Sequence, residues 1–149
     1  MKAHIGVDVG TGYIHTVTAT AANAHDITEA HKLIREDDDV VYGDAAFTGI
    51  EKREEIKNNP SLSSINYEIA QRPSVVRAMA AKGRFIDREI ERRKASVRSK
   101  VEHPFHIVKN IFGYRKTVYK GLKKNLNRLH VLFGCANLLM YGRSGALNS

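Results

Sequence analysis

The sequence predicts a mixed α/β fold, and three observations carry that prediction. Residues 2–21 read as two short β-prone stretches separated by Gly10-Thr11-Gly12, the pattern of an antiparallel hairpin. Two more short apolar stretches, 40–47 and 65–70, are strand-like and alternate with helical patterns. The second half changes period: over residues 84–113 and 122–141 the apolar residues recur three and four apart, as on amphipathic helices.

Taken in order, KAHIGVDV at 2–9 and YIHTVTATA at 13–21 are the hairpin strands. Asp26 or Thr28 is placed to cap a helix from about residue 27 to 36, with Ala30, Leu33 and Ile34 inward. The run Glu36-Asp37-Asp38-Asp39 ends it. VVYGDAAF at 40–47 reads as a buried strand closing in a small-residue turn. Ile50–Asn58 reads as a helix stopped by Pro60, and INYEIA at 65–70 as a strand. Residues 71–83 are basic and carry no clear pattern. A long helix starts between 84 and 90 and runs through RKASVRSKVEHPFHIVKNIFGYRK at 93–116, ending near Gly113. Pro104 lies inside it and predicts a kink or a division, because proline removes a helical donor and disfavours helix for His103. YRKTVYKGLKKN at 114–125 is a basic loop. Leu122–Tyr141 is a last helix with Leu126, Leu129, Leu132, Phe133, Ala136 and Leu139 inward, and the tail GRSGALNS reads as frayed. There is no internal repeat and no linker, so 1–149 reads as one domain, with its basic helical part at about 84–141.

At 149 residues and 42% hydrophobic content, the chain can bury a core and is not disordered by composition. No apolar run reaches the roughly 18–20 residues of a spanning helix, and the N-terminus lacks a signal-peptide pattern. The single Cys135 excludes an internal disulfide framework and a cysteine-built zinc site, and a reducing cytosolic compartment is the default. The net charge of +8 hides an asymmetry. Residues 1–70 hold 6 Lys and Arg against 12 Asp and Glu, whereas residues 71–149 hold 18 against 4. A polyanion is the natural partner of the second half. A membrane surface is the poorer choice, because Phe and Leu there fall on core-like faces and not on a separate insertion face.

Arg98, Glu102 and Lys109 are spaced by four and seven. On an α-helix that puts them within an arc of about 40°, along one edge of the stripe Val97, Val101, Phe105, Val108 and Phe112. The same spacing suits a solvated charged edge with i,i+4 pairing. Asp44 follows a predicted strand between Gly43 and Ala45, a position where ligands and catalytic groups collect in open α/β sheets, and where an Asp equally binds its own backbone in a turn. Asp44 with Glu102 would offer hard oxygen donors to divalent metals. The pairs His25/His31 and His103/His106 lack the pattern of a metal site. Tyr13, Tyr114 and Tyr119 sit among basic residues, where they suit stacking on bases, phosphate contact or packing. GVDVGTG at 6–12 resembles the phosphate loop of actin-like ATPases and sugar kinases, although no second phosphate loop or adenosine motif follows and a tight hairpin needs such glycines anyway.

Over nearly its whole length the chain resembles the C-terminal part of bacterial DDE-type insertion-sequence transposases. The most specific piece is Arg98-x3-Glu102-x6-Lys109, which matches the family signature around its third acidic residue. VEHPF at 101–105, FGYRKTVYKGLKKN at 112–125 and GDAAFTGIEKR at 43–53 match family wording. The resemblance makes Asp44 and Glu102 the second and third catalytic acids and ligands of Mg²⁺ or Mn²⁺. It makes Arg98 and Lys109 the signature's basic positions near the active site and DNA. Lys94, Lys100 and Lys123 join them as candidate DNA contacts from the basic half. It implies an RNase H-like mixed sheet with flanking helices, metal-dependent DNA strand cleavage and strand transfer, and transposon ends and target DNA as partners. Self-association or pairing with a full-length transposase, and a bacterial, nucleoid-associated location, follow from the same resemblance.

The family's first Asp sits on the first, central strand. Only two strands precede the first helix here, so the chain reads as starting at the second strand of a longer protein, without the first acid. Asp8 is a poor substitute at a hairpin end. With two of three carboxylates, cleavage by this chain alone is not expected. Two positions depart from the family's pattern: Ala95 replaces a usual Tyr, and Ala45-Ala46-Phe47 replaces a small residue followed by Gly and Tyr. The rival readings are a non-catalytic DNA-binding remnant that regulates full-length transposase, and an actin-like ATP-binding module.

Overall fold

The structure, a computed structural model, describes residues 1–147. In chain order its regular elements are β1 (Lys2–Val7), β2 (Ile14–Thr20), α1 (Ala30–Leu33), β3 (Val40–Gly43), α2 (Glu54–Lys57), α3 (Pro60–Ser63), β4 (Asn66–Ile69), α4 (Pro73–Ala81), α5 (Phe85–His106) and α6 (Leu122–Leu147). Short 3₁₀ turns occupy Asp26–Thr28, Ala45–Phe47 and Ile50–Lys52. The fold is mixed α/β, with small sheets and flanking helices. The resemblance implies one mixed sheet. The described residues form two separate two-stranded sheets, β1-β2 and β3-β4, because no strand pairs with both β1 and β3. The chain divides into two compact units, Met1–Ala24 with Lys100–Ser149, and His25–Ser99.

In the first unit, β1 and β2 pair antiparallel from Lys2↔Thr20 to Val7↔Ile14, with a register shift at Gly6/Val7. The turn is built by Asp8. Its Oδ1 accepts from Thr11 N–H at 2.7 Å and from the Thr11 hydroxyl at 2.8 Å, while Gly12 N–H donates to Asp8 O at 2.8 Å. Gly12 has φ +76°, a conformation glycine adopts without the Cβ penalty. Ile5, Ile14 and Ala19 of the hairpin pack with Ile107, Val108, Leu129, Phe133 and Ala136 into one core. Phe105 meets Phe133 edge to face at 5.5 Å. Each fully buried side chain of this size stabilises by about 1.5–3 kcal/mol. The inward set of α6 is as its period predicts, with Leu126, Leu132 and Leu139 half-buried at the rim.

Two side chains of α6 also bond the backbone of β2. Asn137 accepts from Ile14 N–H at 2.9 Å through Oδ1 and donates to Ile14 O at 2.8 Å through Nδ2. The His130 ring Nε2 lies 3.1 Å from Val17 O. The tail is not frayed at Gly142, since α6 continues to Leu147; the remaining two residues lie outside the described residues.

Pro104 neither divides α5 nor ends it. It is fully buried within the helix. Proline supplies no donor to the preceding turn, and the winding widens just beyond it: Ile107–Ile111 is a π-helical turn, with Phe112 N–H donating to Ile107 O at 3.0 Å. Gly113, at φ +66°, then ends the segment as predicted, and Tyr114 N–H reaches back to Val108 O.

In the second unit, β3 and β4 are parallel, from Val40↔Asn66 to Gly43↔Ile69. Ala30, Ile50, Ile56, Leu62 and Ile65 form its core, bordered by Ile27, Ile34, Val41, Phe47, Tyr67 and Ile69. Most elements here are shorter than the sequence predicts. The helix of 27–36 shrinks to a 3₁₀ turn and the four residues of α1, and neither Asp26 nor Thr28 caps it: the Thr28 hydroxyl donates back to His25 O. The chain turns early because Asp38 captures Arg35, accepting from its N–H at 3.0 Å and from its guanidinium at 2.8 Å. The strand of 40–47 stops at Gly43 and is not buried on both faces, since Val40 and Tyr42 are exposed. Pro60 opens α3 instead of closing a helix. It occupies the first turn, with Asn59 Oδ1 capping Ser61 N–H at 3.0 Å. Residues 73–81, patternless in sequence, form α4.

Candidate nucleic-acid interface and acidic residues

Asp44 directly follows β3. Its Oδ1 accepts from Ala46 N–H at 2.9 Å, so the carboxylate caps the 3₁₀ turn Ala45–Phe47 and keeps Oδ2 outside that bond. Gly43, just before Asp44, leaves room for the side chains of Ile69 and Phe47. A Cβ there would come within 2.9 Å of Ile69 Cδ1 and 3.3 Å of Phe47 Cβ. Phe47, a departure from the expected Tyr, packs on the core of this unit, so its ring is used for burial.

Arg98 and Glu102 are exposed and lie on the unbroken part of α5, four residues apart and so on one helix face. Lys109 does not continue that face on an α-helical wheel, because it falls in the π turn. Its Nζ sits 5.5 Å from the centroid of the Phe105 ring, a cation–π contact. Asp44 belongs to the unit His25–Ser99 and Glu102 to the unit containing Lys100–Ser149.

The lysines differ sharply. Lys94 is mostly buried and committed: Nζ lies 3.0 Å from Glu68 Oε2 and 3.5 Å from Glu91 Oε1. Glu91 is 8% exposed, and its other oxygen accepts from Gln71 N–H at 2.7 Å. The hydrogen bond from Lys94 holds the Glu68 carboxyl below the usual glutamate range. Burial alone would lower Lys94, but its bond to Glu68 and the charge of Glu91 outweigh that and raise it. Lys100 is exposed and donates to Val9 O at 2.6 Å on the hairpin turn. Lys123 is exposed in the first turn of α6.

The basic segment before α6 is ordered by one residue the sequence did not mark. Asn125 is buried; its Nδ2 donates to Tyr119 O at 2.6 Å and Gly121 O at 2.7 Å, and its Oδ1 accepts from the N–H groups of Val118 and Tyr119 at 3.3 Å. Arg115, Lys116 and Lys120 are exposed on this segment, with Lys120 between the two carbonyls that Asn125 holds. Tyr114 packs on the core with Arg128 5.3 Å over its ring, and Tyr119 is half-exposed. In the second histidine pair, His106 Nδ1 pairs with Asn110 Nδ2 at 2.8 Å.

The transposase DDE domain family matches residues 1–138. The chain belongs to that family. No solved structure matches it. Transposases of this kind act in DNA transposition, bind DNA and generally use divalent metal ions. In this transposase domain, no three of His, Cys, Asp and Glu gather among the described residues to hold one cation. Asp44 and Glu102 have the hard oxygen chemistry that Mg²⁺ prefers, and they belong to different units of the chain. No helix among the described residues is long and apolar enough to cross a membrane. Sequence reasoning missed the Glu68–Lys94–Glu91 cluster. Its only local signal is Glu91 three residues before Lys94, since Glu68 is remote in sequence.

Proposed function

We propose that this chain is the DNA-binding C-terminal part of a single transposase catalytic domain of bacterial insertion-sequence type, whose family reaction is metal-dependent strand cleavage and strand transfer. Asp44 and Glu102 are its second and third acids and the donors toward Mg²⁺ or Mn²⁺. Arg98 and Lys109 flank the third acid. Lys100, Lys123 and the loop fixed by Asn125 face the DNA backbone, whereas Lys94 contributes by holding α5 to β4. Transposon ends and target DNA are the partners, and a full-length transposase is the protein partner. The observation that carries the reading is the signature Arg98-x3-Glu102-x6-Lys109 lying exposed along α5 and the turn that follows it, in a half-chain with 18 cations against 4 acids.

A second reading, a non-catalytic regulator that occupies DNA, is favoured by Ala46 and Phe47, which stand beside Asp44 where the family pattern has Gly and Tyr. One experiment separates them. Labelled duplex DNA is titrated with the protein at several salt concentrations, then incubated with Mg²⁺ or Mn²⁺ and examined for nicks. Contact with about five phosphates gives a log K versus log salt slope near −4 to −5. A slope near zero removes DNA binding from both readings. Nicking that is lost in Asp44→Asn and Glu102→Gln selects the enzyme; binding without nicking selects the regulator.

A further inference from the structure

A cavity of about 340 Å³ opens beside the hairpin turn in the first unit. One wall is the turn itself, Gly10 to Gly12. The facing walls carry Lys100 and His103 from α5 and Arg143 from the last turns of α6. Met140 is the one large apolar side chain of the lining, and none of the lining residues is acidic.

The lysine is fixed. Its bond to Val9 O holds the ammonium at the turn and leaves two of its three N–H donors for something else. Arg143 brings a planar fork of donors suited to an oxyanion. The nearest carboxylate of the turn, Asp8, is engaged through Oδ1 with the Thr11 amide and hydroxyl, and Gly12 N–H is spent on Asp8 O. Gly10 N–H takes no part in those bonds, and the absence of a side chain at Gly10 and Gly12 lets a ligand approach the backbone. Two permanent cations and a histidine ring therefore line one cavity with the glycine turn.

We propose that this cavity is a phosphate seat and that it takes one backbone phosphate of duplex DNA, with Lys100 and Arg143 as the charged donors. The inference rests on the DNA-binding reading above and extends it to a defined contact and to Arg143, which lies outside the family signature. A phosphodiester is favoured over a free nucleotide because the lining offers no aromatic face for a base. It also gives the GTG turn a ligand without an ATP-binding fold.

The test uses the full chain. Duplex DNA binding is measured against salt for wild type, Arg143→Ala and Lys123→Ala. In parallel, the amide resonances of Gly10, Thr11 and Gly12 are followed on addition of duplex DNA, inorganic phosphate or ATP. Arg143→Ala should weaken duplex binding by about tenfold and make the salt slope shallower by about 1. The turn amides should shift with duplex DNA in wild type and not in Arg143→Ala. Wild-type affinity and slope in Arg143→Ala, with Lys123→Ala impaired, would overturn the seat while leaving DNA binding intact. If wild type binds no DNA, the general reading fails, and the turn amides decide the site: shifts with inorganic phosphate that vanish in Arg143→Ala retain a phosphate seat, and no shift removes it. Shifts with ATP alone would overturn the assignment to DNA in favour of a nucleotide.

Discussion

The two units of this chain reach order by different routes. The hairpin unit uses long elements: strands of 6 and 7 residues and a 26-residue helix, joined through one core centred on Phe133. The unit His25–Ser99 builds its core from four-residue strands and helices, α1 to α3 and β3 to β4. These are too short to be stable alone, so local hydrogen bonds set them: Asp38 on Arg35, Asp44 on Ala46, Asn59 on Ser61. The lesson is that burial organises the first unit, while capping side chains shape the second and leave its carboxylates and amides committed to the backbone.

The largest effect should come from the cores. Phe133→Ala should cost about 3–5 kcal/mol and Ile56→Ala about 2–5 kcal/mol, measured by chemical denaturation. Hydrogen exchange then tests the comparison. Phe133→Ala should expose amides of β1, β2 and α6 ahead of those of β3 and β4, and Ile56→Ala the reverse. Equal loss in both units from either substitution would show that they unfold as one.

Next comes Lys94→Ala. Removing it leaves Glu91 buried with only the Gln71 amide, at a cost of about 1–3 kcal/mol. Its effect on the DNA salt slope should be negligible. A slope shallower by 1 with unchanged stability would move Lys94 to the DNA surface.

Lys123→Ala should behave in the opposite way. Stability should stay within about 0.5 kcal/mol, while the DNA slope becomes shallower by about 1. Loss of folding instead would show that the start of α6 depends on this lysine.

The smallest effect is the pH response of the Glu68–Lys94 pair. Glu68 is lowered from 4.5, so its contribution is present above that value and is lost as pH falls through the lower folded value. Lys94 is raised from 10.5, so its contribution is present below that value and is lost as pH rises through the higher folded one. The pair should therefore support β4 and α5 across the whole interval between, with losses only at the extremes. Glu68→Gln should blunt the acid limb; an unchanged acid limb would assign it to other carboxylates.

What could be read in the sequence follows the same division. The hairpin, α5, the inward face of α6 and the stop at Gly113 were legible, because a stripe repeated over several turns outweighs any single residue. The short elements between residues 26 and 69 were not, since a four-residue helix has barely one turn and its limits depend on Asp38 reaching Arg35 or Asn59 reaching Ser61. Of the two outcomes Pro104 predicts, division of the helix does not occur: α5 runs through it to His106, and a π turn follows at Ile107–Ile111. Among the candidate site residues, Asp44 and Glu102 could be marked by motif, and both the turn role of Asp44 and the exposure of Glu102 are now plain. The contrast between Lys94 and Lys100 could not be foreseen: one meets Glu68 and the other Val9, and both partners lie far away in sequence.

The bonds from Asn137 and His130 to β2 have a consequence for assembly. A strand that extends a sheet must find free amides and carbonyls along an edge. On β2, both backbone groups of Ile14 and the carbonyl of Val17 are already occupied by α6. Among the described residues, β1 pairs with β2 alone in this sheet. An incoming strand, whatever chain supplies it, is therefore turned away from β2 at Ile14 and Val17, where α6 already holds the backbone groups it would need.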